Sequence, residues 1–329
     1  MSDHEPARFV VGTGRCGSTL LSRMLDEHPA IVSLYEVFTG LDWGRRFVDG
    51  EVSGEFVADL LATPQAVIDT VVGRGHDVEE VTYPFDRPGA RYRRGDPMPW
   101  LAVSTLGRLT EDVDALLDDT LDWLRERPDG PIAAHYRALF ARLAQDAGGT
   151  VWVERSGSSV DYVADLVRLF PDARFVHLHR DGAEVALSMQ QHAPYRLAVQ
   201  IWAGLLPDGV DPADEDAVVE GWLATTPPAE LFGRYWSSQI EAGVPVLQQL
   251  GDRVLHVNFE AMCAAPANTM GAITDHLGVP ADPTFPARAA ALVRGVPPAR
   301  APRLDPAQRA ALDAACATGR TLLAEVLLD

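Results

Sequence analysis

The sequence predicts an α/β fold built on a doubly wound, mostly parallel sheet. Three observations carry that reading. Five short apolar runs recur along the chain, several unbroken rather than alternating, as strands covered on both faces require. Segments with apolar residues at three- and four-residue spacing, the helical period, separate most of them. The first run ends in a glycine-rich turn that opens directly into one of those helical segments.

In chain order, RFVVG at 8–12 is the first predicted strand, and the turn GTGRCGST leads into the helical LLSRMLDEH. IVSLY at 31–35 is the second strand. From Val37 to Gly149 the chain turns acidic and helix-prone, broken by VTYPFDRPGARYRRGDPMPW, which sets Arg91, Arg93 and Arg94 among Tyr83, Phe85, Tyr92 and Trp100. VWV at 151–153 and RFVHLH at 174–179 are the third and fourth strands, separated by the helical DYVADLVRLF and followed by AEVALSMQQ. A second irregular region, 193–233, carries Trp202, Trp222 and the acidic run DGVDPADEDAVVE. The last strand, RVLHVN at 253–258, precedes the helical NTMGAITDHLG. No internal repeat or long low-complexity linker interrupts this series. The economical expectation is one domain over 1–329, its insertions at 37–149 and 193–233 forming a substrate lid over the sheet.

Composition narrows the function. At 329 residues, with a net charge of −19 and a pI near 4.8, the chain lacks the basic character that nucleic-acid or anionic-membrane binding needs. All 28 basic residues are arginine, so any role usually given to a lysine ammonium falls to arginine. Cys16, Cys263 and Cys316 are too few and too scattered for a disulfide framework or a zinc site. The acidic start MSDHEPARF has no apolar stretch of signal length, and no segment approaches the roughly 20 apolar residues of a membrane span, so a cytoplasmic protein without stable membrane insertion is expected.

Ligands of an open parallel sheet sit beyond the carboxyl ends of its strands. The residues there are distinctive. After the first strand, Gly12, Gly17, Ser18 and Thr19 nearly spell the P-loop GxxxxGK[ST], but Ser18 stands where the lysine belongs. Glu36 follows the second strand, Arg155 the third and Arg180 the fourth. Each has an ordinary alternative: a tight turn, a solvated carboxylate, or ion pairs of Arg155 with Glu154 or Asp161 and of Arg180 with Asp181 or Glu184. Together with Arg15 they favour an anionic ligand.

VVGTGRCGSTLLSRMLDEHP resembles the 5′-phosphosulfate loop of sulfotransferases of the carbohydrate and tyrosylprotein types, R-[SC]-G-[ST]-[ST]-L followed by a helix and HP. FPDARFVHLHRDGAEVALSM resembles their second signature, FPxxxFxxxxRDxxxxxxSM, and VLHVNFEAMCAAPANTMGAITDHLGVP their third block. The three blocks span residues 8–280. The resemblance implies a P-loop-type fold and an O-sulfotransferase that uses 3′-phosphoadenosine 5′-phosphosulfate, releases adenosine 3′,5′-bisphosphate and needs no metal. It implies that Gly14, Arg15, Cys16, Gly17, Ser18 and Thr19 wrap the 5′-phosphosulfate and that Arg180 and Ser188 take the 3′-phosphate. Glu36, seven residues past His28-Pro29, matches the catalytic base, and Arg15 and Arg155 would stabilise the transferring group.

Two positions depart from the pattern. Arg155 stands at the family's lysine and, being permanently protonated, offers a fixed donor fork rather than an acid or base. Phe259 stands where a tyrosine is frequent. His177 and His179 are expected to be packed or hydrogen-bonded, while His192 and Arg196 remain open as ligand contacts. The acceptor is expected to be a hydroxyl on a small molecule, glycolipid or glycan, chosen by the insertions; their aromatic residues serve equally well as lid core. Two alternatives stay open, a P-loop kinase or NTPase, and a nucleotide-binding protein without turnover.

Overall fold

A computed structural model describes residues 5–76 and 78–326. Its central sheet has five strands, β1 (Arg8–Val11), β2 (Ile31–Tyr35), β3 (Val151–Arg155), β4 (Arg174–His179) and β5 (Val254–Asn258). They lie in the order β2-β3-β1-β4-β5, and every neighbouring pair is parallel. All five stand where the apolar runs place them. The one extension that matters is β3, which runs on to Arg155 and so makes that arginine part of the sheet.

Alternation along the strands assigns the two faces. Phe9, Val11, Leu34, Trp152 and Phe175 pack on one side against the first insertion, whose helices Gly54–Ala62, Val113–Arg125 and Ile132–Asp146 contribute Leu60, Leu121, Leu139 and Phe140. Val10, Val153, Val176 and Leu178 face the other way, onto Leu21 and Met24 of helix Ser18–Asp26 and Met270 and Ile273 of helix Pro266–Leu277. The sheet is therefore dry on both sides, which is why its strands read as unbroken apolar runs. A third cluster joins helices Gly182–Gln190, Ala229–Gln248 and Pro306–Val326 around Trp236, Phe232, Leu312 and Cys316.

The strand order fixes where a ligand sits. From β1 the chain moves two places outward to β2, returns to β3 between them, then crosses to β4 on the far side of β1. The direction reverses between β3 and β1, leaving a crevice at their carboxyl ends, the position at which doubly wound sheets bind ligands. The glycine-rich turn and Arg155 flank that crevice.

Candidate active site

A cavity of about 390 Å3 opens at this edge, lined by Gly14, Arg15, Gly17, Ser18, Thr19, Glu36, Arg155, Arg180 and Ser188. Residues from four separate strand ends thus converge, as expected from the sequence. Both insertions supply walls, the first through Trp43, Arg46, Glu79, Glu80 and Trp100, the second through His192's neighbours Pro194, Tyr195 and Ala198.

Backbone strain is concentrated here. Among the described residues the non-glycine residues with positive φ are Arg15 (62°), Glu36 (57°) and Ser158 (52°), and all three line the cavity. Each left-handed L-residue costs about 1–2 kcal/mol, and such strain gathers where function holds a side chain in place. The glycines are needed for space. A Cβ on Gly14 would run into the Tyr195 hydroxyl, and one on Gly17, itself at φ 100°, would run into the Phe259 ring. Gly17 gives helix Ser18–Asp26 no side-chain cap, so the first N–H groups of that helix are open to an anion.

Glu36 and Arg155 form the centre. Both are buried, and Arg155 Nη1 donates to Glu36 Oε1. Glu36 Oε2 accepts from Thr39 Oγ1 at 2.6 Å and from the Gly157 N–H at 2.8 Å. The Glu36 N–H donates to the Arg155 carbonyl at 2.8 Å, and the Trp100 indole N–H donates to the Glu36 carbonyl. These contacts hold the backbone in its left-handed turn. The Arg155 guanidinium lies 3.9 Å from the Tyr35 ring centroid, and its Nη2 reaches Thr19 Oγ1 of the loop at 3.4 Å. Burial pulls the Arg155 pKa down, but the charge of Glu36, joined by Tyr35 and Glu80, outweighs it and holds the group above its ordinary value.

Arg15 reaches across the mouth. Its Nε donates to Ser188 Oγ at 3.4 Å and its Nη1 pairs with Glu80 at 3.2 Å and Glu79 at 3.5 Å. Burial would raise the Glu80 carboxyl, but the hydrogen bond and charge of His192 and the charge of Arg15 hold it down at about 2. His192 Nε2 sits 3.1 Å from Glu80 Oε2, while His192 Nδ1 is buried with no partner. Arg180 pairs with Glu260 at 3.2 Å and lies 4.5 Å from the centroid of Phe259, so the phenylalanine at the tyrosine position serves as a cation–π platform. Tyr195 closes over Gly14, its hydroxyl 2.9 Å from Ser158 Oγ.

Other sequence candidates lie elsewhere. Cys16 is buried in the core behind the loop, where burial pushes its thiol up, and its side chain does not line the cavity. Arg196 donates to Thr226 at 3.3 Å and does not line the cavity either. His177 packs inside the sheet with its Nδ1 2.9 Å from that of His256, and burial lowers both it and His179, the latter to about 4. Arg91 pairs with Asp118 at 2.5 Å on the outside. Among the described residues no group of histidines, cysteines and carboxylates is arranged to hold a metal ion, and no helix is long and apolar enough to cross a membrane.

Sequence reasoning missed Thr39, Glu80, Ser158, Tyr195 and Arg46. None carries a local signal. Each is brought to the cavity by an insertion or a loop whose path no periodicity reveals.

Residues 123–283 match the model of the sulfotransferase family. The match covers just under half of the chain, and over that segment the chain is similar to this family. The matched segment holds β3, β4 and β5, and with them Arg155, Arg180 and Ser188; the glycine-rich loop lies before it. No curated protein matches the sequence. Among solved structures the chain is similar to the sulfotransferase domain of the Synechococcus PCC 7002 olefin synthase, with 18% identity over 100% of this chain and 98% of that one and a TM-score of 0.47. It is also similar to sulfotransferase STF9 from Mycobacterium avium (17% identity, 91% and 70% covered, TM-score 0.43) and to mouse sulfotransferase SULT7A1 complexed with PAP (11%, 100% and 91%, 0.44). The likeness to the sulfotransferase family supports sulfuryl transfer.

Proposed function

We propose that the protein transfers a sulfuryl group from 3′-phosphoadenosine 5′-phosphosulfate to an acceptor hydroxyl, with Glu36 as general base, in a single domain whose two insertions form the acceptor wall. The observation that carries this is the convergence of Glu36, Arg155, Arg15, Arg180 and Ser188 on one cavity at the sheet's switch point. The residues present fit the donor. The open N–H groups after Gly17 and the close-packed Gly14 form a cradle without side chains, and Arg15 and Arg180 supply cations on either side of it. When bound, the phosphosulfate supplies an activated sulfuryl group and a bisphosphate leaving group.

The chain's own residues would do the rest. Thr39, Gly157 and Arg155 occupy three of the roughly four lone-pair positions of the Glu36 carboxylate, leaving one for the acceptor O–H. As the acceptor oxygen attacks sulfur, its proton passes to Glu36. Neutralising Glu36 removes the counter-charge of Arg155, whose donor fork is then left to the negative charge growing on the sulfuryl and leaving oxygens. Arg155 thus holds the base before transfer and the charge during it.

A second reading of the base has its own observation. His192 is oriented by Glu80 and keeps a buried, unpartnered Nδ1 in the same cavity wall. One variant separates the two. Glu36→Gln keeps size and removes basicity, so transfer of labelled sulfuryl to a phenolic acceptor is expected to fall by about a hundredfold to ten-thousandfold. Bisphosphate affinity by calorimetry is expected to hold. Transfer at the parent rate across pH 6 to 9 would move the base to His192.

A further inference from the structure

Three arginines are buried among the described residues, Arg8 at 4% exposure, Arg46 at 2% and Arg155 at 1%. A guanidinium taken out of water normally finds a carboxylate and fills its donors, because an uncompensated buried charge costs several kcal/mol. Arg8 follows the rule, bonding to the Leu277 and Pro6 carbonyls and pairing with Glu5. Arg155 follows it through Glu36. Arg46 does not. Its five donors make one hydrogen bond, from Nη1 to the Phe38 carbonyl at 2.9 Å, and its Nε is buried with no partner. No carboxylate among the described residues forms an ion pair with it. The two whose charges reach it are engaged elsewhere, Asp161 with Gln239 at 2.8 Å and Asp165 with Arg168 at 2.8 Å.

What surrounds Arg46 is aromatic. Its guanidinium lies 4.2 Å from the ring centroid of Tyr162, 4.5 Å from that of Trp43 and 4.8 Å from that of Phe47. It lines the same cavity as Glu36, beside Trp43, which is 71% exposed, and Val67 and Ile68 add apolar lining to that cavity. Cation–π contacts offset part of the desolvation and leave the charge without an anion.

We propose that Arg46 recognises a carboxylate on the acceptor, which is therefore an aromatic or otherwise apolar hydroxy acid whose hydroxyl faces Glu36. The inference rests on reading this cavity as the acceptor site. One arginine suits a monoanion. A phosphate dianion calls for more than one cation, and the other arginines of the cavity, Arg15, Arg155 and Arg180, belong to the loop end. The planar guanidinium matches a carboxylate in geometry as well as charge.

The test uses 4-hydroxyphenylacetate and its methyl ester, matched in size and hydroxyl and differing in charge. Calorimetry on the bisphosphate-loaded protein is expected to show the acid binding about tenfold to a hundredfold more tightly than the ester, the worth of a charged hydrogen bond. Arg46→Met is expected to abolish that preference, with bisphosphate binding reporting that the variant is folded. Should it not fold, Arg46→Gln, which keeps a donor for the Phe38 carbonyl, carries the same expectation. Equal binding of acid and ester by the parent, binding of neither, or a preference that survives loss of the charge would overturn the proposal. A parent that transfers sulfuryl to the ester as well as to the acid sinks this inference and spares the catalytic reading. A preference for the acid without transfer to either does the reverse.

Discussion

Arg155 and Arg46 are equally deep, line the same cavity and differ in what answers their charge. Arg155 ends a central strand, so its partners are fixed by the sheet: Tyr35 is its register neighbour on β2, and Glu36 follows immediately. Arg46 sits in the first insertion, held by one carbonyl and three aromatic faces. The strand-borne arginine is internally neutralised by Glu36, while the insertion-borne one forms no ion pair among the described residues. On the reading proposed above, transfer chemistry lies with the sheet and acceptor choice with the insertion.

Breaking the Arg155 side has the largest expected effect after loss of Glu36 itself. Arg155→Ala is expected to lower turnover by about a hundredfold or more, the cost of one transition-state donor, with Arg155→Lys rescuing only part because an ammonium lacks the planar fork. Steady-state kinetics beside bisphosphate calorimetry make the measurement. Unchanged turnover would return Arg155 to a purely structural ion pair. The same substitution strands Glu36 in the interior, which costs about 3–5 kcal/mol when a buried pair loses one partner. Arg46→Met strands no carboxylate and is expected to destabilise less, so denaturant midpoints of Arg155→Met and Arg46→Met test the contrast independently of activity.

A smaller effect sharpens the comparison from behind β3. Glu154, beside Arg155 in sequence and facing away, accepts from Ser156 and keeps its other oxygen buried without a partner. Burial, reinforced by the charge of Glu36, pushes its carboxyl up from 4.5 to about 8. A raised folded pKa means the native state holds the proton longer than the unfolded chain does. The contribution to stability is therefore full below about pH 4.5 and is lost as pH rises toward 8. Glu154→Gln is expected to remove that decline and to raise the melting temperature at pH 8 relative to the parent by a few degrees, about 2–4 °C per kcal/mol. Parallel melting curves for the two proteins from pH 5 to pH 8 would show Glu154 to be ionised already.

The sheet was legible because its signals are local: five apolar runs, a glycine turn and the helices after it. The strand-end rule alone brought Glu36, Arg155 and Arg180 to one edge, and the family resemblance added Ser188, which reads otherwise as a solvated helix serine. Two kinds of feature were not legible. Helix Pro306–Val326 is alanine-rich with little contrast between its faces, so its packing on helix Ala229–Gln248 leaves no clear period. Glu80 lies 65 residues from Arg15 and 112 from His192, and Arg46 meets the Tyr162 ring from the other side of the first insertion; insertions that carry such contacts follow no repeating pattern. The ion pairs that looked most natural along the chain, Arg155 with Glu154 and Arg180 with Asp181, are not formed; Arg155 turns to Glu36 and Arg180 to Glu260.

The donor reading stands or falls on the 3′-phosphate, because Arg180 and Ser188 are the residues that distinguish a bisphosphate site from an ordinary nucleotide loop. A thermal-shift series in EDTA with adenosine 3′,5′-bisphosphate, 5′-AMP and ATP measures this directly. The bisphosphate at about a hundred times its dissociation constant is expected to stabilise by about 2.7 kcal/mol, a rise of several degrees, with much smaller shifts for AMP and ATP at equal concentration. Equal shifts for AMP and the bisphosphate, or a shift for ATP that requires magnesium, would contradict it.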